Sequence, residues 1–137
     1  MRAPLEREPT ITIIRTSLAE CLAIDVESVR PESRLTMDLG VDSLDFIDLI
    51  FTLEKRVGVR IRENDLNLIP ASVDDRGERR PNEEFLPPDA VSRALTWLPE
   101  LATFPDLARV RPVDVWPLIT VESLWRLLEQ KAKEGSP

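Results

Sequence analysis

The spacing of apolar residues changes character along the chain. After Pro9, the run TITIIRTSLAECLAI puts Ile11, Ile14, Leu18 and Cys21 or Leu22 on one stripe at helical intervals, which predicts a helix over Ile11–Leu22. Its β-branched start leaves the first turn ambiguous with strand. The next stretch, DVESVRPESRLTMDLGVD, has no sustained period and is interrupted by Pro31 and Gly40. It predicts an ordered loop, with Val26, Val29, Leu35 and Leu39 available to pin it inward. A second helix is predicted over Ser43–Val57. Asp42 suits its N-cap, and Asp45 three residues later suggests a capping box. Lys55 and Arg56 complement the dipole of its last turn, and Gly58 supplies a left-handed stop.

Beyond Ile61 the pattern breaks. Eight of the twelve prolines (Pro70, Pro81, Pro87, Pro88, Pro99, Pro105, Pro112 and Pro117) fall between Arg62 and Ile119. ASVDDRGERRPNEE is polar and turn-rich and predicts a mobile loop near 70–87. In PPDAVSRALTWLPEL, Asp89 can cap a short helix that buries Val91, Leu95 and Leu98. LATFPDLARVRPVDVWPL is apolar but proline-broken, which predicts short helical turns. The last periodic segment, ITVESLWRLLEQKAKEG, predicts a helix capped by Thr120 and stopped by Gly135, with Val121, Leu124, Trp125 and Leu128 on its inner stripe.

The second helix is apolar on two sides. Phe46, Leu49, Ile50, Leu53 and Val57 make one core stripe. Leu44, Ile47 and Phe51 recur on another, beside Asp45 and Asp48. This second stripe is either covered by the proline-rich segment or is a docking surface, apolar knobs ringed by carboxylates that steer basic partners. Composition narrows the function classes. Hydrophobic residues make up 42% of the chain, enough for a core, and the formal net charge is −7. That charge disfavours nucleic acid or an anionic membrane as the main partner. There is no histidine, and the lone Cys21 cannot form an internal disulfide. Both facts fit a cytoplasmic, non-catalytic protein without a metal site, with Cys21 as a small core residue. The chain contains no apolar run of the roughly 18 residues that a spanning helix needs. GVDSL is not the G-x-S-x-G of a serine hydrolase, and no base partner for Ser43 exists. A serine at a helix N-terminus is an ordinary cap residue. The same position would also suit a phosphate ester, because it lies at the positive end of the helix dipole beside unpaired N–H groups.

The stretch DLGVDSLDFIDLIFTLEKRVGVRI, Asp38–Ile61, resembles an acyl carrier protein, above all in Asp42-Ser43-Leu44 after Leu39-Gly40. VESVRPESRLTMDLG is similar to that family's loop between its first two helices. The resemblance implies an all-α, acyl-carrier-like four-helix bundle. Its core would be residues 10–62 and 119–134, with a helical and loop insertion at 63–118. It further implies that Ser43, preceded by Asp42, carries 4′-phosphopantetheine, attached from coenzyme A by a phosphopantetheinyl transferase. The arm would hold acyl groups as thioesters. Leu44, Asp45, Ile47, Asp48, Phe51 and Glu54 match positions that meet partner enzymes with basic docking surfaces, namely acyl-carrier synthetases, ketosynthases or acyltransferases. The resemblance implies a monomer. Lys55 departs from the family, whose members often carry an acid there. The wording LDFIDLIFTLEK is similar to specialised bacterial carriers, such as those for very-long-chain hydroxy acids of lipid A. A peptidyl or aminoacyl carrier, which more often shows GGHS or GGDS, and an unmodified interaction module of the same fold are the alternatives. In the insertion, Phe85, Trp97, Phe104 and Trp116 imply either a satellite core or added lining for an acyl cavity, where each buried methylene is worth about 0.8 kcal/mol.

Overall fold

The computed structural model describes residues 6–61, 71–73, 76, 79–81 and 84–134. Among these described residues five α-helices dominate, in the order α1 (Arg7–Leu22), α2 (Ser43–Val57), α3 (Pro88–Trp97), α4 (Pro112–Val115) and α5 (Val121–Glu134). Short 3-10 turns fill most of the connections. The helices form two compact units, one made of residues 1–61 and 119–137, the other of residues 62–118.

In the first unit α1 packs on α2 and on α5. The stripe read from the sequence is the buried one: Ile11, Ile14 and Leu18 of α1 meet Phe46, Leu49, Ile50 and Leu53 of α2 in the core, with Leu124 and Leu128 of α5. α1 starts a turn earlier than its apolar stripe. Pro9 is tolerated in that first turn because its missing N–H is one the helix leaves unpaired anyway. Arg7 also ties this end to the start of α5, with Nε 3.0 Å from Glu122 Oε1. α1 ends on Ala23, which takes a left-handed conformation (φ 56°) although it is not a glycine.

The loop after α1 is held more tightly than its composition suggests. Arg15 of α1 donates to the carbonyls of Val26 and Val29. The Val121 and Glu122 N–H groups, left over at the start of α5, donate to the carbonyls of Ser33 (3.1 Å) and Pro31 (2.8 Å). Leu35 N–H donates to Ile119 O at 3.0 Å. Val29 and Leu35 are buried as expected. Val26 is exposed and Leu39 half-buried, and Val41 takes the inward place instead. The loop turns back at Val41, whose N–H donates to Leu35 O, so Val41 rather than Leu39 faces the core.

α5 has the predicted cap. Thr120 Oγ1 accepts from Ser123 N–H, and Ser123 Oγ accepts in return from Thr120 N–H at 2.8 Å. Trp125 departs from the expected inner stripe. It is half-buried, while Leu127 takes a core position. Gly135 lies outside the described residues.

The second unit is a chain of short elements, three of them started by prolines. Pro88, Pro99 and Pro112 stand in the first turns of α3, a 3-10 turn at Pro99–Thr103 and α4. Asp89 does not cap α3. It lies in the first turn of α3 and pairs with Arg93, but Pro87 is the N-cap and makes no side-chain bond. A proline pair at the helix start already sets the entry geometry, so no polar cap is needed there. Val91 and Leu98 are buried as expected, whereas Leu95 is half-buried and Ala94 and Trp97 complete the inner stripe. Leu86 N–H donates to Val110 O at 2.7 Å, closing the segment on itself. Leu86, Leu101, Val110 and Val115 are buried along with α3. Of the four aromatics, Trp97 alone is buried; Phe85 is exposed and Phe104 and Trp116 are half-buried. Within the stretch expected to be a loop, Ala71–Val73 pairs antiparallel with Arg79–Pro81. The Asp- and Gly-containing composition that signals a loop is also that of a hairpin connection. This three-residue pairing is a small addition to an otherwise helical fold.

Candidate functional site

α2 is specified at both ends by its own sequence. Asp42 is extended (φ −96°, ψ −178°), and its Oδ1 accepts from Asp45 N–H at 2.8 Å. Asp45 Oδ2 accepts in return from Asp42 N–H at 3.3 Å. Gly58 stops the helix at φ 77°, its N–H donating to Glu54 O. Both match the sequence expectation.

Ser43 is the first residue of the helix and is half-buried. Its hydroxyl makes no hydrogen bond among the described residues, and neither do the N–H groups of Ser43 and Leu44. The capping role falls to Asp42, so the serine hydroxyl is left available. A group with a phosphate fits here. Two free N–H donors and the positive end of a fifteen-residue helix are present, and the hydroxyl has no competing partner. The neighbouring carboxylates of Asp38, Asp42 and Asp45 are each engaged by a backbone N–H, Asp38 Oδ2 accepting from Arg34 N–H at 2.7 Å. The loop anchored on α5 fixes where this helix start lies, which no local pattern could reveal.

The outward face of α2 carries Leu44, Asp48, Phe51 and Lys55 at intervals of four, three and four residues, one stripe along the helix. Leu44 is 56% and Phe51 55% exposed, large values for apolar side chains in a helix whose opposite stripe is buried from Phe46 to Leu53, with Val57 half-buried at its end. Asp48 and Lys55 are exposed, and neither side chain has a partner among the described residues. Ile47 is half-buried on one flank of the stripe. Glu54 shares that flank but is half-buried and committed locally, its Oε2 accepting from Ile61 N–H at 3.1 Å and tying down the chain after Gly58. Asp45, on the other flank, is spent on the capping box. The structure therefore brings Leu44, Asp48 and Phe51 together as the open surface and gives Asp45 and Glu54 structural duties as well.

A groove of about 490 Å³ runs between this face and α1, lined by Ser17, Glu20 and Cys21 on one side and Asp48, Phe51, Thr52, Lys55 and Arg56 on the other. Arg56 crosses it to Glu20 (2.6 Å) and Ser17 Oγ (3.0 Å). Cys21 is exposed here, contrary to its expected place in the core. It keeps the right helical phase, but it sits in the last turn of α1. What faces it there is the Asp45 carbonyl, 3.9 Å from Sγ, rather than an apolar wall. Burial and the charges of Asp45, Asp48 and Asp42 push the thiol up from its ordinary range. The groove was missed from the sequence because its walls lie 36 residues apart along the chain and meet only through the α1–α2 packing. Among the described residues no cluster of His, Cys, Asp and Glu could hold a metal ion, and no helix is long and apolar enough to cross a membrane.

The sequence pattern of the phosphopantetheine attachment site matches residues 12–70. An acyl carrier protein of Thermotoga maritima is 36% identical over 63 residues, 46% of this chain and 78% of that protein. One of Campylobacter jejuni subsp. doylei is 41% identical over 56 residues, 41% of this chain and 73% of that protein. Acyl carrier protein AcpXL of Rhizobium meliloti is 48% identical over 44 residues. That match covers 32% of this chain and 46% of the AcpXL protein, so it spans about half the relative's length. No solved structure matches the chain. The chain belongs to the acyl carrier protein family, whose attachment domain takes 4′-phosphopantetheine. Members of that family are carriers of acyl groups rather than catalysts.

Proposed function

We propose that Ser43 is the attachment residue and that the protein carries acyl intermediates for specialised fatty-acid or lipid biosynthesis, with long-chain acyl groups of lipid A as the candidate cargo. The observation that carries this reading is the division of labour at the start of α2. Asp42 caps the helix, which leaves the Ser43 hydroxyl, inside the matched region, without a partner among the described residues. When bound, 4′-phosphopantetheine supplies a terminal thiol that holds the acyl group as a thioester. The chain's own residues do the rest. Ser43 Oγ provides the ester oxygen, and the Ser43 and Leu44 N–H groups with the helix dipole would hold the phosphate. Leu44, Ile47 and Phe51 offer apolar contact, and Asp45, Asp48 and Glu54 draw in the basic docking surfaces of the transferase and of the synthetase, ketosynthase or acyltransferase that loads or unloads the arm. The similarity to AcpXL supports the specialised cargo. The protein acts in the cytoplasm as a monomer, as one carrier domain elaborated by residues 63–118.

Intact-protein mass spectrometry after incubation with coenzyme A and a transferase tests this. The wild-type chain gains the mass of one phosphopantetheine and Ser43→Ala gains none. A wild-type chain that stays unmodified overturns the reading.

A further inference from the structure

Asp48 and Lys55 are opposite charges on one exposed stripe, with the exposed ring of Phe51 between them. Neither has a partner among the described residues, whereas Arg56 next to Lys55 is closed off by Glu20 and Ser17 across the groove. Seven residues of helix separate the two charges, about 10 Å along the axis. A chain with net charge −7 that leaves an ammonium free at one end of such a stripe does not present a uniformly acidic surface there.

We propose that Lys55 is a specificity-determining residue. The surface formed by α2 and its groove with α1 selects a protein partner that sets a basic group against Asp48 and a carboxylate against Lys55, and it disfavours partners whose docking surface is basic throughout. This rests on the reading of α2 as the docking face. The physical basis is simple. Exposed charges contribute little to the fold, and across an interface like-charge juxtaposition slows encounter and suppresses the wrong partner. Lys55 also complements the C-terminal dipole of α2, but Arg56 does so as well, so that role does not require it to be unpaired. The groove floor is polar and already carries one closed ion pair. Its free charges are therefore those of the stripe itself, and Cys21, Ser17 and Thr52 add hydrogen-bonding atoms without adding charge.

The test uses the full chain and a phosphopantetheinyl transferase whose docking surface is basic throughout, with kcat/KM for phosphopantetheine transfer as the readout. Lys55→Glu is expected to raise it about threefold to tenfold at low salt, and Lys55→Gln by less. The gain should collapse near 1 M salt, where the screening length is about 3 Å. It should also reverse with a transferase in which the basic residue nearest position 55 is replaced by glutamate. Asp48→Lys should slow the reaction. If Asp48→Lys slows it and Lys55→Glu leaves it unchanged or lowers it, the selectivity of Lys55 is wrong while the docking face stands. If Asp48→Lys has no effect, the docking face itself is wrong and the proposal falls with it. Thermal melts of each variant confirm that the compared proteins are folded.

Discussion

α2 and the proline-rich segment from Glu84 to Leu118 are held by different means. α2 is one uninterrupted helix with a capping box at its start and a left-handed glycine at its end. The segment is α3, α4 and a series of 3-10 turns; prolines stand in the first turns of α3, α4 and the turn at Pro99–Thr103. Single polar bonds tie the start of α4, where Asp114 Oδ2 accepts from Arg111 N–H, and the turn at Leu107–Arg109, where Asp106 accepts from Ala108 N–H. In α2 local chemistry decides both ends, and one apolar stripe decides the orientation. In the segment prolines start α3, α4 and the turn at Pro99–Thr103, but long-range contacts such as Leu86 N–H to Val110 O decide how the pieces close on one another. The comparison shows that α2 depends less on its surroundings for its own shape than the pieces of the segment do.

The largest effects should come from the two cores, where the regions ought to behave alike. Leu53 in α2 and Leu101 in the segment are both 0% exposed. Leu53→Ala and Leu101→Ala should each cost about 2–5 kcal/mol in denaturant unfolding. Amide exchange should show the loss of protection in α1 and α2 for the first and in α3 for the second. Equal losses would keep the contrast confined to helix ends. A negligible cost for Leu101→Ala would mean that the segment's core is far looser than that of α2.

The ends themselves come next. Asp42→Ala removes a cap with bonds in both directions and should cost about 1 kcal/mol. Asp89→Ala removes only an exposed ion pair with Arg93 at 3.6 Å and should change stability by less than about 0.5 kcal/mol. Similar costs for the two would erase the distinction between a capped and a proline-started helix. On the outward stripe, Phe51→Ala should also change the melting behaviour little, within about 0.5 kcal/mol, because the ring is exposed. It should slow phosphopantetheine transfer all the same. The smallest effect concerns Cys21. The thiolate is the reactive form, so a raised pKa means less of it at neutral pH and slower alkylation than an ordinary cysteine. Following alkylation of Ser43→Ala against pH should show the rate still climbing above the ordinary cysteine range. Asp48→Asn should shift that profile modestly down in pH.

These contrasts also mark what could be read in advance. The limits of α2, its two apolar stripes and the cap of α5 by Thr120 depend on residues within a few positions of one another, and they were legible. Cys21 and Trp125 were misplaced for the same reason: helical phase gives an angle, but not whether a neighbouring element reaches that far along the axis. The start of α1 at Arg7 was hidden because it depends on Glu122, 115 residues away. The hairpin at Ala71–Val73 and Arg79–Pro81 was hidden because its composition is also that of a loop.

The amino-acid sequence by itself determined that α2 exists, where it begins and ends, that Asp42 precedes Ser43 at its start, and that its carboxylates and apolar residues share one helix. Those features follow from local hydrogen bonding and helical period. Only the tertiary structure decided which of them are free to act. It committed Glu54 to Ile61, closed Arg56 onto Glu20, and left the Ser43 hydroxyl, Asp48 and Lys55 without partners among the described residues. A side chain's availability depends on atoms that the chain brings to it from a distance, and those atoms have no signature in the residues beside it.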